Sequence, residues 1–286
     1  MSQLRTLSDA IRLDLALPRE PSPYLLETQA LGYRIAGKPI LAGVNCQLMA
    51  GEVLAVLGQN GAGKSTLLKL LSGDLRPSDG AVMLEGLSLA LYSAAQLALK
   101  RAVMGQGGSL AAGFTAGEVV ALGRYPRQRY YKHDPAADEA LIRESLARCD
   151  VAHLRDQAYN TLSGGEQARV TLARVLAQET PILLLDEPTA ALDLRHQQQL
   201  MQIVRELAAE GRAVLMILHD LNLAAAYADR ILIMRGGAVF AEGAPAEVLT
   251  EGILEAAFEL PVKVIPHPAP PRGAACPLVI PLGGRR

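Results

Sequence analysis

Residues 58–65 read Gly58-Gln59-Asn60-Gly61-Ala62-Gly63-Lys64-Ser65, the spacing G-x-x-x-x-G-K-[ST]. Glycines at these positions let successive backbone N–H groups turn inward around an anion. A helix that follows points its positive end at the same place. A lysine here supplies a charge for β- and γ-phosphates, and a hydroxyl supplies an oxygen for Mg²⁺. The candidate phosphate-binding set is therefore Gly58, Asn60, Gly61, Ala62, Gly63, Lys64, Ser65 and Thr66, the last being the next residue of the helix. Taken alone, the loop says only that a nucleotide binds; a glycine turn closing a strand onto a helix is the plainer alternative.

Two further strings carry chemistry. Pro181-Ile-Leu-Leu-Leu-Asp186-Glu187-Pro188 places two carboxylates at the end of an apolar strand. That is the edge of an open parallel sheet where ligands bind. Asp186 suits a magnesium shell, and Glu187 suits proton abstraction from a water attacking a γ-phosphate. Leu162-Ser163-Gly164-Gly165-Glu166-Gln167 is the more specific string. At average residue frequencies it arises by chance in on the order of one in ten thousand chains or fewer. Ser163 and Glu166 are spaced as a capping box, which explains the serine and the glutamate. It does not explain two glycines in a first helical turn, where glycine lowers helix stability. Close approach of backbone N–H groups to another molecule would.

The elements around these strings follow an α/β rhythm. Val53–Leu57 is a strand-length apolar run before the glycine loop, and Gly73 stands where a helix starting near Lys64 should end. After residue 163 the expected order is helix to Gln178, strand Ile182–Leu185, helix Arg195–Glu210, strand Ala213–Leu218, helix Leu221–Ala228 and strand Ile231–Met234. A hairpin at Gly236-Gly237 follows. Residues 24–51 are strand-like. Residues 90–165 form an Ala- and Leu-rich helical insert, with helices at Ala94–Arg101, Ala116–Leu122 and Pro135–Cys149. The division expected is an N-terminal extension over 1–23, an α/β domain over 24–260 and a Pro-rich extended tail over 261–286. The extension carries Leu4, Leu7, Ile11 and Leu15 at helical spacing, but charged residues interrupt it too often for a secretory signal.

Composition excludes several classes. The 286 residues carry a net charge of −1, so no basic excess announces nucleic acid. The basic, aromatic stretch 124–133 reads instead as a solvated loop of the insert. No apolar run approaches the roughly 20 residues of a membrane-spanning helix. Cys46, Cys149 and Cys276 form no CxxC pair, which argues against a disulfide framework or zinc site. His133, His153, His196 and His267 read as surface histidines.

In order and in residues, phosphate loop, LSGGEQ string and acidic strand resemble the ATP-binding cassette ATPases over about residues 24–260. The resemblance implies a P-loop α/β core with an antiparallel β subdomain and a helical insert. It implies ATP and Mg²⁺ as ligands, and two cassettes paired head to tail so that the signature of one closes over ATP on the other. Carried over, Ser163, Gly165 and Gln167 contact that ATP in trans, Tyr33 stacks on adenine, and Asp193 lies at the dimer seam. Gln106 joins magnesium and the attacking water to the insert, and His219 touches the γ-phosphate. Plainer readings stand beside these: Tyr33 as a strand aromatic, Gln106 as an ordinary polar loop residue, Asp193 as the cap of the following helix. Ala190 departs from the family, where serine is common.

Soluble cassette proteins of repair or translation carry a coiled-coil insertion or a second cassette, and neither is visible. A scaffold that binds without turnover would typically lack Glu187 or His219. Three strings, Phe114-Thr115 to Pro126, Leu218-His219-Asp220-Leu221-Asn222-Leu223-Ala224 and Ala241-Glu242-Gly243-Ala244-Pro245 to Thr250, resemble the ATPase subunits of ferric siderophore, haem and vitamin B12 importers. The stretch after Val262 is most similar to the haem importers. The resemblance implies a homodimer on the cytoplasmic face of the membrane, two copies of a transmembrane permease, and a substrate-binding protein reached through the permease.

Overall fold

The computed structural model describes residues 22–105, 113–130, 134–271, 273 and 275–283. Gln106, His133 and nearly all of the 1–23 extension lie outside the described residues.

Two sheets and a small hairpin organise the chain. The first sheet is antiparallel, built from β1 (Tyr24–Ile35), β2 (Lys38–Val44), β3 (Gln47–Met49), β5 (Asp79–Leu84) and β6 (Leu87–Ser88). The second has the order β11-β10-β4-β9-β8-β7. Its strands are β4 (Val53–Gly58), β7 (Arg101–Met104), β8 (Ile182–Asp186), β9 (Ala213–Ile217), β10 (Arg230–Arg235) and β11 (Ala238–Gly243). The first five named run parallel to one another, and β11 is an antiparallel edge. Gly236 and Gly237 both have positive φ, as a two-residue turn between β10 and β11 requires.

Every residue of β4, β8 and β9 is buried. Their side chains alternate between two separate apolar clusters, one on each face of the sheet. On β4, Leu54 and Val56 face the cluster that holds Leu67, Leu68, Leu70 and Leu71 of the helix Lys64–Ser72. Val53, Ala55 and Leu57 face the cluster that holds Val170, Leu172, Val175 and Leu176 of the helix Gly164–Ala177. The helix after the phosphate loop and the helix after the LSGGEQ string therefore pack on opposite faces of one sheet.

Three details differ from the sequence reading. Residues 101–104 fall within the span read as helical insert, yet they form β7 and pair with β8 at the sheet edge. Residues 125–130 are helical rather than a loop, and Arg124 is 6% exposed. Its guanidinium donates to Asp138 at 2.7 Å, Glu179 at 2.7 Å and the Ala177 carbonyl at 2.6 Å, fastening the insert to the core. His196 is half-buried rather than a solvent histidine.

The last segment is extended, as its prolines suggest. Strands β12 (Val262–Pro266) and β13 (Pro277–Pro281) pair antiparallel. Val262 and Val279, each 3% exposed, join the large cluster of the main domain.

Candidate functional site

The site grows from three neighbouring strand ends. β4, β9 and β8 lie side by side and parallel, so the segments leaving their carboxyl ends emerge together: the phosphate loop, Leu218-His219, and Asp186-Glu187. The loop conformation depends on glycine. Gly58, Gly61 and Gly63 have φ of 149°, 80° and 98°. A side chain at Gly58 would collide with the Met234 carbonyl, and one at Gly63 would lie 2.5 Å from Leu41 Cδ2.

Lys64, 6% exposed, donates from Nζ to the carbonyls of Gly58 at 2.8 Å and Gln59 at 3.0 Å. An ammonium has three N–H groups, and these two bonds aim it across the loop mouth. Burial lowers the Lys64 pKa, opposed by the nearby charges of Glu187 and Asp186. Ser65 Oγ donates to Asp186 Oδ1 at 3.4 Å. Burial raises the Asp186 pKa; the Ser65 hydroxyl works against it and Glu187 adds to it.

Glu187 is held in the left-handed region at φ 50°, an uncommon conformation for a residue with a side chain. Its N–H donates to the Ile217 carbonyl at 3.1 Å, tying it to the end of β9. Its Oε1 accepts from His219 Nε2 at 2.6 Å. Thus Lys64, Ser65, Asp186, Glu187 and His219 form one cluster: a cation, a hydroxyl and two carboxylates beside a histidine. Hydroxyl and carboxylate oxygens so arranged suit a hard divalent cation.

Tyr33, half-buried on β1, pairs across the antiparallel sheet with Leu41, whose side chain meets Gly63. One strand thus separates Tyr33 from the phosphate loop.

The second group is built on the helix Gly164–Ala177 and the segment that follows Glu187. Ser163 caps the helix Gly164–Ala177 in a full capping box: its N–H and hydroxyl donate to Glu166 Oε2 at 2.7 and 2.6 Å. These bonds hold the Glu166 carboxyl below the usual range, the serine hydroxyl contributing most. Ser163 and Gly164 are exposed. A Cβ on Gly165 would lie 3.0 Å from the Ala191 carbonyl, so the segment 190–193 rests directly on the glycine pair. Gln167 turns its amide back to the Leu162 carbonyl at 2.9 Å. Asp193 caps the helix Leu194–Ala209, accepting from the His196 N–H at 2.9 Å and His196 Nδ1 at 2.8 Å. The backbone bond is the first cause of its lowered pKa. Both the capping box and the Asp193 cap read from the sequence are therefore present. The His196 contact was missed; its spacing from Asp193, three residues into a helix, was the available signal.

The profile of the ABC transporter family matches residues 41–190. A relative is the hemin import ATP-binding protein HmuV of Streptomyces coelicolor (strain ATCC BAA-471 / A3(2) / M145), 48% identical over 251 residues, 88% of this chain and 89% of that one. The chain belongs to the ABC transporter family. Among solved structures, this ABC ATPase superposes with a TM-score of 0.76 on a chain of a transporter assigned provisionally to the metal-chelate type, in an inward-facing conformation. That pair is 28% identical and covers 91% of this chain and 98% of the other. It superposes with a TM-score of 0.70 on the dimeric post-hydrolysis state of the ATP-binding cassette MJ0796 bound to ADP and Pi, 28% identical, covering 77% of this chain and 98% of the other. Among the described residues, no helix of this ABC ATPase is long and apolar enough to cross a membrane.

Proposed function

We propose that this chain is the ATP-hydrolysing subunit of a haem importer, working as a head-to-tail homodimer on the cytoplasmic face of the membrane beneath a permease. The observation that carries the catalytic part is the convergence of Lys64, Asp186, Glu187 and His219 at three adjacent strand ends. The haem assignment is supported by the relative named above.

In this reading the phosphate loop and Lys64 bind the triphosphate of ATP. Ser65 and Asp186 would hold Mg²⁺, which when bound supplies positive charge to the phosphoryl oxygens. Glu187 takes a proton from the attacking water, and His219, hydrogen-bonded to that carboxylate, holds it in place. Tyr33 stacks on adenine. Ser163, Gly165, Gln167 and Asp193 complete the pocket of the opposing copy. Gln106 is assigned by resemblance alone. The opposite-face packing of the two helices supports the need for a second copy, as does the dimeric relative with ADP and Pi. A C₂ pair makes the two contacts reciprocal.

The experiment is reconstitution with the permease and binding protein in lipid vesicles. ATP-dependent accumulation of haem, with ferric siderophore and cobalamin excluded, is the expected result. Accumulation of either of those instead of haem refutes the substrate; ATP turnover with no uptake of any of the three refutes the importer reading.

A further inference from the structure

The hairpin of β12 and β13 lies outside the family match and has no place in the site described above. Its attachment to the domain is specific. Val262 and Val279 are buried in the main core, and β13 packs on the helix Leu221–Tyr227. Both atoms of one side-chain amide reach its backbone: Asn222 Nδ2 donates to the Val279 carbonyl at 3.1 Å, and the Val279 N–H donates to Asn222 Oδ1 at 2.8 Å. On its other side, Glu251 Oε1 accepts from the Val264 N–H at 3.1 Å and from Lys263 Nζ at 2.9 Å.

Asn222 is in the first turn of the helix that starts directly after His219. Asp220 caps that helix, accepting from the N–H groups of Asn222 at 2.8 Å and Leu223 at 3.1 Å. Hydrogen bonds and one peptide link therefore lead from the Val279 backbone through Asn222 to the Asp220 cap, on along the chain to His219, and then to Glu187. A seven-residue helix is too short to order itself. Its first turn, on which the placement of His219 depends, is fixed by what packs against it.

We propose that Asn222 and the C-terminal hairpin are positioning elements for His219: the tail strand clamps the first turn of the helix and so holds the histidine against Glu187. This rests on the roles assigned to His219 and Glu187 above. Asn222 has no part in nucleotide binding; it acts on turnover through the histidine.

The test is steady-state ATPase activity of the full-length chain with Mg-ATP, comparing Asn222→Ala, His219→Ala and the double variant. Asn222→Ala is expected to lower kcat roughly three- to thirtyfold with KM for ATP unchanged, the size of effect a small misplacement produces. The unchanged KM also reports that the fold and phosphate loop are intact. Asn222→Asp keeps the acceptor for the Val279 N–H and loses the donor, so its kcat should fall between wild type and Asn222→Ala. In the His219→Ala background, Asn222→Ala should cost nothing further. An equal drop in both backgrounds, or a drop confined to KM, overturns the proposal. If His219→Ala turns over at the wild-type rate, the catalytic reading itself fails and this inference fails with it. If His219→Ala is slow but Asn222→Ala is normal, only the inference fails.

Discussion

Nε2 of His219 lies 2.6 Å from Oε1 of Glu187, across two strands that run side by side. An ionised carboxylate can only accept, so the imidazole donates. The register fixes the contact: Asp186 pairs with Ile217, the Glu187 N–H bonds to the Ile217 carbonyl, and His219 follows two residues later. Glu187→Gln keeps the shape of this arrangement and removes the proposed base. ATP turnover should fall roughly 10²- to 10⁴-fold, while ATP still binds. Rapid-quench hydrolysis and equilibrium binding of labelled ATP measure the two separately; wild-type turnover would remove Glu187 from its role.

Lys64→Ala acts on the other term. The buried ammonium is aimed across the loop by two backbone carbonyls. A charge-assisted bond of this kind is worth about 1.5–3 kcal/mol, so ATP affinity should drop roughly 10- to 150-fold. Calorimetric titration of the variant with ATP checks this, and unchanged affinity would place the triphosphate elsewhere.

Arg124 tests how the insert is fastened. Removing its guanidinium takes from Asp138 and Glu179 the cation they share, leaving Gln128 on Asp138 at 2.9 Å and Arg127 3.8 Å from Glu179. Breaking a buried pair from one side costs about 3–5 kcal/mol. Urea unfolding of Arg124→Ala should show a loss near the lower figure, because Glu179 is partly exposed. A loss under about 1 kcal/mol, the range of surface ion pairs, would mean the network is not structural.

The thiols give a check that needs no mutation. Burial pushes both Cys46 and Cys149 up to about 12. At pH 8 the thiolate fraction of each is on the order of one in ten thousand. In the native protein a disulfide reagent at pH 8 should leave both unmodified, and unfolding in guanidinium should expose them. Rapid labelling of either in the native state would contradict the packing of the two clusters.

The residues proposed to carry the chemistry were legible in the sequence because each string is local. The phosphate loop, the Asp186-Glu187 pair and the capping box of Ser163 and Glu166 each fall within eight residues. The strands β4, β8 and β9 were legible because burial on both faces demands unbroken apolar runs. What was not legible depends on distant partners. Arg124 reads as a solvated cation until Asp138 and Glu179, 14 and 55 residues away, close on it. Residues 101–104 read as part of a helical region because a four-residue edge strand has too few positions to show a period. The pairing of β12 with β13 was hidden by the Pro-rich stretch between them, and one of its anchors is an asparagine amide forty residues upstream of β12. The packing of the helix after the phosphate loop and the helix after the LSGGEQ string on opposite faces of one sheet is a property of topology, which no single string encodes.

That packing makes the division of the pocket between two chains the point most worth testing. The direct measurement is complementation: Lys64→Ala chains and Gly165→Asp chains, each expected to turn over little ATP alone at a concentration far below the weakened Kd of Lys64→Ala, are mixed without nucleotide and then assayed for ATP hydrolysis at that concentration. In a head-to-tail pair, every mixed dimer has one pocket built wholly from wild-type parts, so activity should return to about a quarter of wild type at equal mixing. Activity that stays at the level of the separate variants would mean that each pocket is completed within a single chain.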